Sequence, residues 1–178
     1  MTLVAGRVEL RRPSSVDEEW YLAALRRSYE HISQWNPVSL DPADYRQWLV
    51  ELDSGYSAGY WIVDREDGEL AGVANVFNII RRRFQNGVLS YNAFLPYAGS
   101  GRMSEGMQLV VQQCFARPPQ GLGLHRLEVN VQPDNERSIA LVRRLGFRYE
   151  GHARRMLFIN GDWRDHERYA STMEEHTS

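Results

Sequence analysis

The segment Leu89–Gly106 reads LSYNAFLPYAGSGRMSEG, in which a strand-like run passes through a glycine-rich corner into a helix. Gly99 and Gly101 allow the backbone to approach a bulky ligand and leave its N–H groups unencumbered. The helix expected from Arg102 adds the positive end of its dipole, and Ser104 adds a hydroxyl donor. These residues predict a phosphate or diphosphate site that needs neither a lysine nor a metal. The alternative is a plain turn that only caps the helix.

Two familiar phosphate-binding motifs do not explain this corner. The chain contains no lysine, which excludes a P-loop of the form GxxxxGK[ST] and any Schiff-base chemistry. A dinucleotide-binding fingerprint requires GxGxxG near the start of a β-α-β unit. Here Gly99-x-Gly101-x-x-Ser104 follows what is predicted to be an antiparallel run of strands, so the match is poor.

The composition describes a chain that can bury a core. It has 178 residues, 43% of them apolar, with a formal charge of −2, and we expect one domain spanning residues 1–178. The charge argues against a nucleic-acid partner, and no segment approaches the roughly 20 apolar residues that span a bilayer. We therefore expect no membrane partner and a cytoplasmic location. Cys114 is the only cysteine, is predicted to be buried, and leaves no cysteine-based metal cluster.

Hydrophobic periodicity and turn residues predict an α+β fold. The first three long strands, joined at Glu66-Asp67-Gly68 and Gln85-Asn86-Gly87, should form an antiparallel meander that ends at the corner. The predicted strands are Arg7–Arg11, Gly59–Asp64, Leu70–Ile80, Val88–Leu95, Leu124–Val131, Phe147–Ile159 and Trp163–Tyr169. The predicted helices run from about Ser15 to His31, from Asp41 to Leu52, from Arg102 to Phe115 and from Asn135 to Leu145.

Three further blocks, together with GSGRMSE at the corner, resemble the GNAT N-acetyltransferases, in particular the RimJ/RimL-like ribosomal-protein branch. They are HISQWNP (His31–Pro37), the long block Leu122–Arg155, and INGDWRDHERYA (Ile159–Ala170). The corner departs from the general signature Q/R-x-x-G-x-G/A at its first and last positions. The resemblance implies a single-domain GNAT fold, with a mixed central sheet of about seven strands, helices on both faces, and a fourth strand that bulges and splays from the fifth.

The resemblance also implies acetyl-CoA as cosubstrate, with no metal. The corner would bind its diphosphate through Ala98, Gly99, Ser100, Gly101, Arg102, Met103 and Ser104. The backbone of the fourth strand would bind the pantetheine arm and polarise the acetyl carbonyl, through Asn92, Ala93 and Phe94. Asn135 is expected to cap the helix that follows the fifth strand, where Asp134 is the alternative cap, and the family gives it a second bond to the pantetheine arm.

Ser138, one turn further along that helix, matches the family serine that protonates the departing thiolate. The alternative is a helix serine bonded to its own backbone. The family glutamate that acts as general base falls at Leu157, and a leucine cannot accept a proton. Other candidates nearby are an ordered water, Glu150, His152, Asp162 and His166. Glu150 is expected to form a structural ion pair, and no base is assigned from the sequence.

The acceptor wall of this fold corresponds to segments that contain Tyr29 and Trp35, which are the predicted acceptor-binding residues. The resemblance implies direct transfer of acetyl to a primary amine, with a protein N-terminal α-amine as the preferred acceptor. A small-molecule amine is the alternative acceptor, and a non-catalytic acyl-CoA-binding module is the alternative class because the glutamate is missing. A homodimer is possible.

Overall fold

The computed structural model describes residues 3–176, which form one mixed sheet of eight strands with helices on both faces. The strands are β1 (Leu3–Ala5), β2 (Val8–Arg11), β3 (Ala58–Asp64), β4 (Leu70–Ile80), β5 (Asn86–Ala93), β6 (Arg126–Val131), β7 (Arg148–Ile159) and β8 (Asp162–Thr172). The helices are α1 (Glu18–Ser33), α2 (Pro42–Leu52), α3 (Arg102–Phe115) and α4 (Glu136–Arg144), with single 3-10 turns at Ser15–Asp17 and Met173–His176.

The strands follow the order β1-β2-β3-β4-β5-β6-β8-β7, and only β5 and β6 run parallel to each other. The predicted α+β class, the meander β3-β4-β5 and the helices on both faces are confirmed. The eighth strand, absent from the prediction, is β1, which pairs with β2 from Leu3↔Leu10 to Ala5↔Val8. Three residues are too few for alternation to be recognised in a sequence.

Each face of the sheet has its own apolar core because successive side chains of a strand point to opposite faces. In β3, Tyr60 and Ile62 pack in the core that α3 and α4 cover, whereas Trp61 and Val63 pack in the core beneath α1 and α2. Cys114 of α3 is buried in the first of these cores, and burial raises the pKa of its thiol to about 12. Within residues 3–176, no helix is long and apolar enough to span a membrane.

The connection between β4 and β5 differs from the sequence prediction. Asn86 and Gly87, expected in a tight turn, belong to β5, where Asn86 pairs with Ile80 of β4. Residues 81–85 form the connection instead. Gly87 is required by packing, because an added Cβ would lie 2.7 Å from Val76 Cγ1. The pairing of this strand end with β6 is a long-range contact, which the local Asn-Gly pattern does not reveal.

The strands β5 and β6 separate part of the way along their length. They pair only between residues 86–88 and 126–128, although β5 continues to Ala93 and β6 continues to Val131. This is the splay that the resemblance implied for the fourth and fifth of the predicted strands. The gap between the two strands opens beside the N-terminus of α3 on one side and the N-terminus of α4 on the other.

Candidate active site

A cleft of about 910 Å³ follows the gap between β5 and β6. Its walls come from the free edges of the two strands, the corner before α3, the first turns of α4 and the loop after α1. Of the site residues predicted from the sequence, the cleft brings together Trp35, Asn92, Ala93, Ala98, Gly99, Gly101, Met103, Ser104, Asn135 and Ser138. The structure therefore places most of the predicted diphosphate, pantetheine and catalytic residues in a single cavity.

The corner before α3 presents a group of unpaired backbone donors to this cleft. Gly99 and Gly101 have φ angles of 82° and 89°, a left-handed conformation that favours glycine, and Gly101 is the N-cap of α3. In the described part of the chain, no hydrogen-bond acceptor is found for the N–H groups of Gly99, Gly101, Met103 and Ser104. An added Cβ at Gly99 would have open space within 4 Å. The corner thus leaves several backbone donors open to an anion in the cleft.

Two side chains of the corner point elsewhere. Arg102 forms an ion pair with the fully buried Asp64 and lies over the ring of Tyr97, 5.2 Å from its centroid. Ser100 donates its hydroxyl to the carbonyl of Tyr97 at 2.6 Å. Neither Arg102 nor Ser100 lines the cleft. Their predicted role in cofactor binding is consequently reduced to shaping the corner, since their side chains are used to fix its conformation.

The backbone of β5 has a hydrogen-bonding direction that alternates along the strand. Phe94 donates its N–H to the carbonyl of Ala71 on β4 at 2.9 Å, so the backbone groups of Asn92, two residues away, also face β4. The backbone N–H and C=O groups of Ala93 and Tyr91 therefore face the gap. Among the predicted strand residues, Ala93 presents its backbone groups to the gap, whereas Asn92 presents only its side chain to the cleft.

Two further expectations about β5 fail. Phe94 is fully buried in the core beneath α1 and α2, outside the cleft, because β4 and that core occupy its backbone and its ring. The expected bulge is also missing: the register of β5 with β4 is unbroken from Val88 to Ala93, and the irregularity lies between Phe77 and Ile80. The gap arises from the divergence of β5 and β6 rather than from a bulge.

The opposite wall of the cleft begins with Asn135 and Ser138. Asn135 is the N-cap of α4, and its Oδ1 accepts the backbone N–H of Ser138 at 3.2 Å, which assigns the cap to Asn135 rather than to Asp134. Its Nδ2 has no partner within residues 3–176 and can donate to a ligand. Ser138 Oγ lies 2.7 Å from the hydroxyl of Tyr91, a contact across the cleft rather than to the serine's own helix backbone.

Tyr91 is a cleft residue that the sequence did not suggest, because its partner Ser138 is 47 positions away. Burial raises the pKa of its hydroxyl to about 12, against the effect of the Ser138 hydrogen bond. The hydroxyl therefore retains its proton at neutral pH. Arg137 and Arg144 of α4 also line the cleft and form no ion pair in the part of the chain that the structure describes. Both guanidinium groups are therefore available to an anion bound in the cleft.

The loop after α1 closes the cleft on the other face of the sheet. Gln132, just beyond β6, donates its side-chain N–H to the carbonyl of Trp35 at 2.9 Å, and Asn36 donates to Asn92 Oδ1 at 2.9 Å. Trp35, a predicted acceptor-binding residue, is half-buried and lines the cleft. Tyr29 is 41% exposed and lies outside the cleft, because it projects from α1 away from its buried face.

A second cavity of about 340 Å³ adjoins the cleft at Asn36, Ser90 and Asn92. Aromatic rings from α1 and α2 form much of its wall, with one carboxylate at the rim. The residues concerned are Tyr21, Tyr45, Trp48 and Asp44. The cleft therefore has a side branch on the face of the sheet that α1 and α2 cover.

Three of the four side chains considered as a general base are engaged outside the cleft. Glu150 pairs with Arg126 at 2.5 Å and with Arg148 at 2.9 Å; these hydrogen bonds, the one to Arg126 first, lower its pKa to about 2 despite burial. His152 bonds carboxylates through both ring nitrogens. Asp162 is the exposed first residue of β8, and its Oδ1 accepts the backbone N–H of Trp163 at 2.8 Å.

The remaining candidate, His166, lines the cleft and is only 2% exposed. Leu157, the position that matches the family glutamate, is 41% exposed on the β7-β8 hairpin and lies outside the cleft. The position of Leu157 therefore lies outside the cleft, in addition to carrying a side chain that cannot accept a proton.

The splayed sheet and the glycine corner form the arrangement expected of an acyltransferase, and the comparison with known proteins agrees. A family model described as an acetyltransferase (GNAT) domain matches residues 7–148, so the chain belongs to the GNAT acetyltransferases. It is 30% identical over 169 residues to the ribosomal protein uS5-alanine N-acetyltransferase of Escherichia coli (strain K12), with 90% of this chain and 85% of that protein covered.

Another relative is the probable N-acetyltransferase YjcK of Bacillus subtilis (strain 168), 36% identical over 177 residues, covering 93% of this chain and 94% of that protein. The structure of Mycobacterium smegmatis RimJ in complex with CoA-disulfide superposes with a TM-score of 0.86 at 25% identity, covering 96% of this chain and 84% of that one. The protein is an N-acetyltransferase with the RimJ/RimL-type fold, and its family uses acetyl-CoA.

Proposed function

We propose that this enzyme transfers acetyl directly to the N-terminal α-amine of a protein. The observation that carries the proposal is one continuous cleft, with free backbone amides at one end, the Ser138–Tyr91 pair in the middle and the Trp35 loop at the other end. The uS5-alanine acetyltransferase relative acts on a ribosomal protein, which supports an α-amine acceptor. The side branch at Asn92 supports a peptide further, because it offers room for a side chain next to the amine.

Bound acetyl-CoA supplies the acetyl group as an activated thioester. The unpaired N–H groups of Gly99, Gly101, Met103 and Ser104 donate to its diphosphate, and Arg137 and Arg144 balance the charge. Asn135 keeps Oδ1 on its helix cap and donates from Nδ2 to the pantetheine amides. The two uses of the Asn135 side chain involve different atoms, so they do not compete.

The backbone N–H of Ala93 faces the gap and donates to the acetyl carbonyl oxygen, where negative charge develops as the amine attacks. Ser138 then gives its hydroxyl proton to the departing sulfur. The Tyr91 hydroxyl lies 2.7 Å from Ser138 Oγ and can donate to it; in that arrangement the serine proton is free to point into the cleft. A serine held in this way is oriented before the reaction begins.

The test is an acceptor screen with thiol release and mass shift as readouts. Purified enzyme and acetyl-CoA are incubated with peptides that begin with Ala, Ser, Met or Gly, with the same peptides blocked at the N-terminus, and with a panel of polyamines and aminoglycosides. We expect a gain of one acetyl group on free peptides and none on blocked ones. Transfer only to small amines would overturn the peptide assignment, and CoA binding without thiol release would indicate a non-catalytic binding module.

A further inference from the structure

His166 lies on the face of the sheet opposite to Ser138. In β8, Tyr169 pairs with Val129 and packs in the core that α3 and α4 cover, so side chains at odd positions of this strand face that side. His166 therefore points to the side of α1 and α2, where the Trp35 loop closes the cleft. Because Ser138 belongs to α4, the histidine and the serine reach the same gap from opposite faces of the sheet.

The hydrogen bonding of His166 determines which ring nitrogen is available. Nδ1 lies 3.0 Å from the carbonyl oxygen of Arg164, and a carbonyl oxygen can only accept, so Nδ1 carries a proton. Nε2 has no partner within residues 3–176. Burial, the largest effect, lowers the pKa of His166, while the Arg164 carbonyl and the charge of Asp165 oppose it. The ring is therefore neutral at pH 7, with the lone pair of Nε2 free.

The carboxylates nearest to His166 along β8 and on the facing side of β6 are already paired with other groups. Asp165, its neighbour on β8, accepts from His152 and from the backbone of Arg155. Glu128 of β6 faces the same side of the sheet and pairs with Arg126 and Arg168. From α1, the half-buried His31 also lines the cleft and is the other histidine to be tested as a base. In the described cleft, His166 is thus a buried proton acceptor without a competing partner on Nε2.

We infer that His166 is the general base that takes the proton from the acceptor amine, a role that rests on the proposed acetyl transfer. The amine nitrogen bonds to the acetyl carbon, the carbon–sulfur bond breaks, and one N–H proton passes to Nε2. Ser138 gives one proton to sulfur. His166 has therefore gained one proton and Ser138 has lost one, so the enzyme as a whole has the same number of protons as before. Return of the proton from His166 to Ser138 through solvent and Tyr91 restores both groups, and the products are the amide and the thiol. Placing base and acid on opposite faces matches the entry of amine and cosubstrate from opposite sides of the gap.

The first test needs no activity. Long-range ¹H–¹⁵N correlation spectra of the wild-type protein, labelled with ¹⁵N-histidine and assigned with His166→Gln, report which nitrogen of each ring is protonated. We expect His166 to carry its proton on Nδ1 and to show an unprotonated Nε2 at pH 7. A proton on Nε2, or a ring that is charged at pH 7, would overturn the inference.

The second test compares His166→Gln with His152→Gln and His31→Gln, using the acceptor found in the screen. His166→Gln should lower kcat/KM about 10²–10⁴-fold and remove the acidic limb from the pH profile of kcat, which does not report the ionisation of the free α-amine. Calorimetry should show CoA binding unchanged. His152→Gln, which lies outside the cleft, should retain both. If His166→Gln keeps its turnover, or if only His31→Gln loses the acidic limb, His166 is not the general base. Wild-type enzyme that acetylates no acceptor refutes the proposed function instead, so the two failures are distinguishable.

Discussion

The hydroxyl of Tyr91 on β5 lies 2.7 Å from Ser138 Oγ on α4, and this contact joins the two walls of the cleft where the strands diverge. Tyr91 also reaches the carbonyl oxygen of Ser138 at 3.3 Å. The carbonyl can only accept, so Tyr91 is the donor in that contact, whereas either hydroxyl can donate in the shorter one. The pair places a neutral donor network directly beside the gap that the thioester must enter.

The Ser138–Tyr91 pair should behave as one functional unit. We expect Ser138→Ala to lower kcat about 10²-fold and Tyr91→Phe about tenfold, because the serine contacts sulfur and the tyrosine only orients it. The double variant should be no slower than Ser138→Ala, since residues that act together are not additive. Steady-state kinetics and CoA calorimetry provide the measurement, and the exposed Tyr56→Phe is the control. Full activity of Ser138→Ala would contradict the assignment.

Gly99 should be needed for cofactor binding and not only for its backbone conformation. Gly99 and Gly55 have φ angles of 82° and 80°, and an added Cβ meets nothing within 4 Å at either position. Alanine at each should cost about 1 kcal/mol of folding free energy from the left-handed conformation. Only Gly99→Ala should weaken CoA binding, by about tenfold, because its methyl group enters the cleft. If calorimetry gives the same CoA affinity for the two variants, the corner before α3 does not bind CoA.

Trp35 and Tyr29 provide a matched pair of aromatic residues for the acceptor site. Trp35 lines the cleft, whereas Tyr29 lies outside it. Trp35→Ala should raise the KM for the acceptor about tenfold with CoA affinity unchanged, because it removes a wall of the acceptor channel. Tyr29→Ala should leave both constants close to those of the wild type. If Tyr29→Ala changes the KM more than Trp35→Ala does, the acceptor binds at the outer face of α1 instead.

Glu150 should contribute to stability in a pH-dependent way without affecting catalysis. Its pKa is lowered to about 2 by hydrogen bonds from Arg126 and Arg148, so the ion pairs stabilise the fold above the unfolded pKa of about 4.3 and fade as pH falls toward 2. Glu150→Gln should cost about 1 kcal/mol at pH 7 in urea unfolding, after solvent screening, and nearly nothing at pH 2. The kcat of Glu150→Gln should equal that of the wild type. A large decrease in kcat would indicate that Glu150 takes part in catalysis, for example as the general base.

The local elements of this fold were largely predictable. Helix α3 begins at Arg102 and ends at Phe115 as expected, because a left-handed Gly101 caps it and its apolar residues recur at helical spacing. The prediction failed at Asn86-Gly87, whose local pattern favours a hairpin turn. Pairing with β6, some 40 residues away, outweighed that preference and extended β5 through both residues. Local propensity is a weak guide wherever a distant strand supplies the hydrogen bonds.

The active site likewise contains some features that the local sequence predicts and others that depend on contacts between distant segments. The glycine corner, Asn135 and Ser138 are recognisable in the sequence, since their chemistry depends on residue types at short spacing along one segment. The ion pair that removes Arg102 from the cleft, the Tyr91–Ser138 contact and the burial of His166 join segments that are far apart in the chain. Which of several histidines and carboxylates meets the acceptor depends on strand order and on the face to which each side chain points. Those two properties are decided only when the sheet assembles around the gap between β5 and β6.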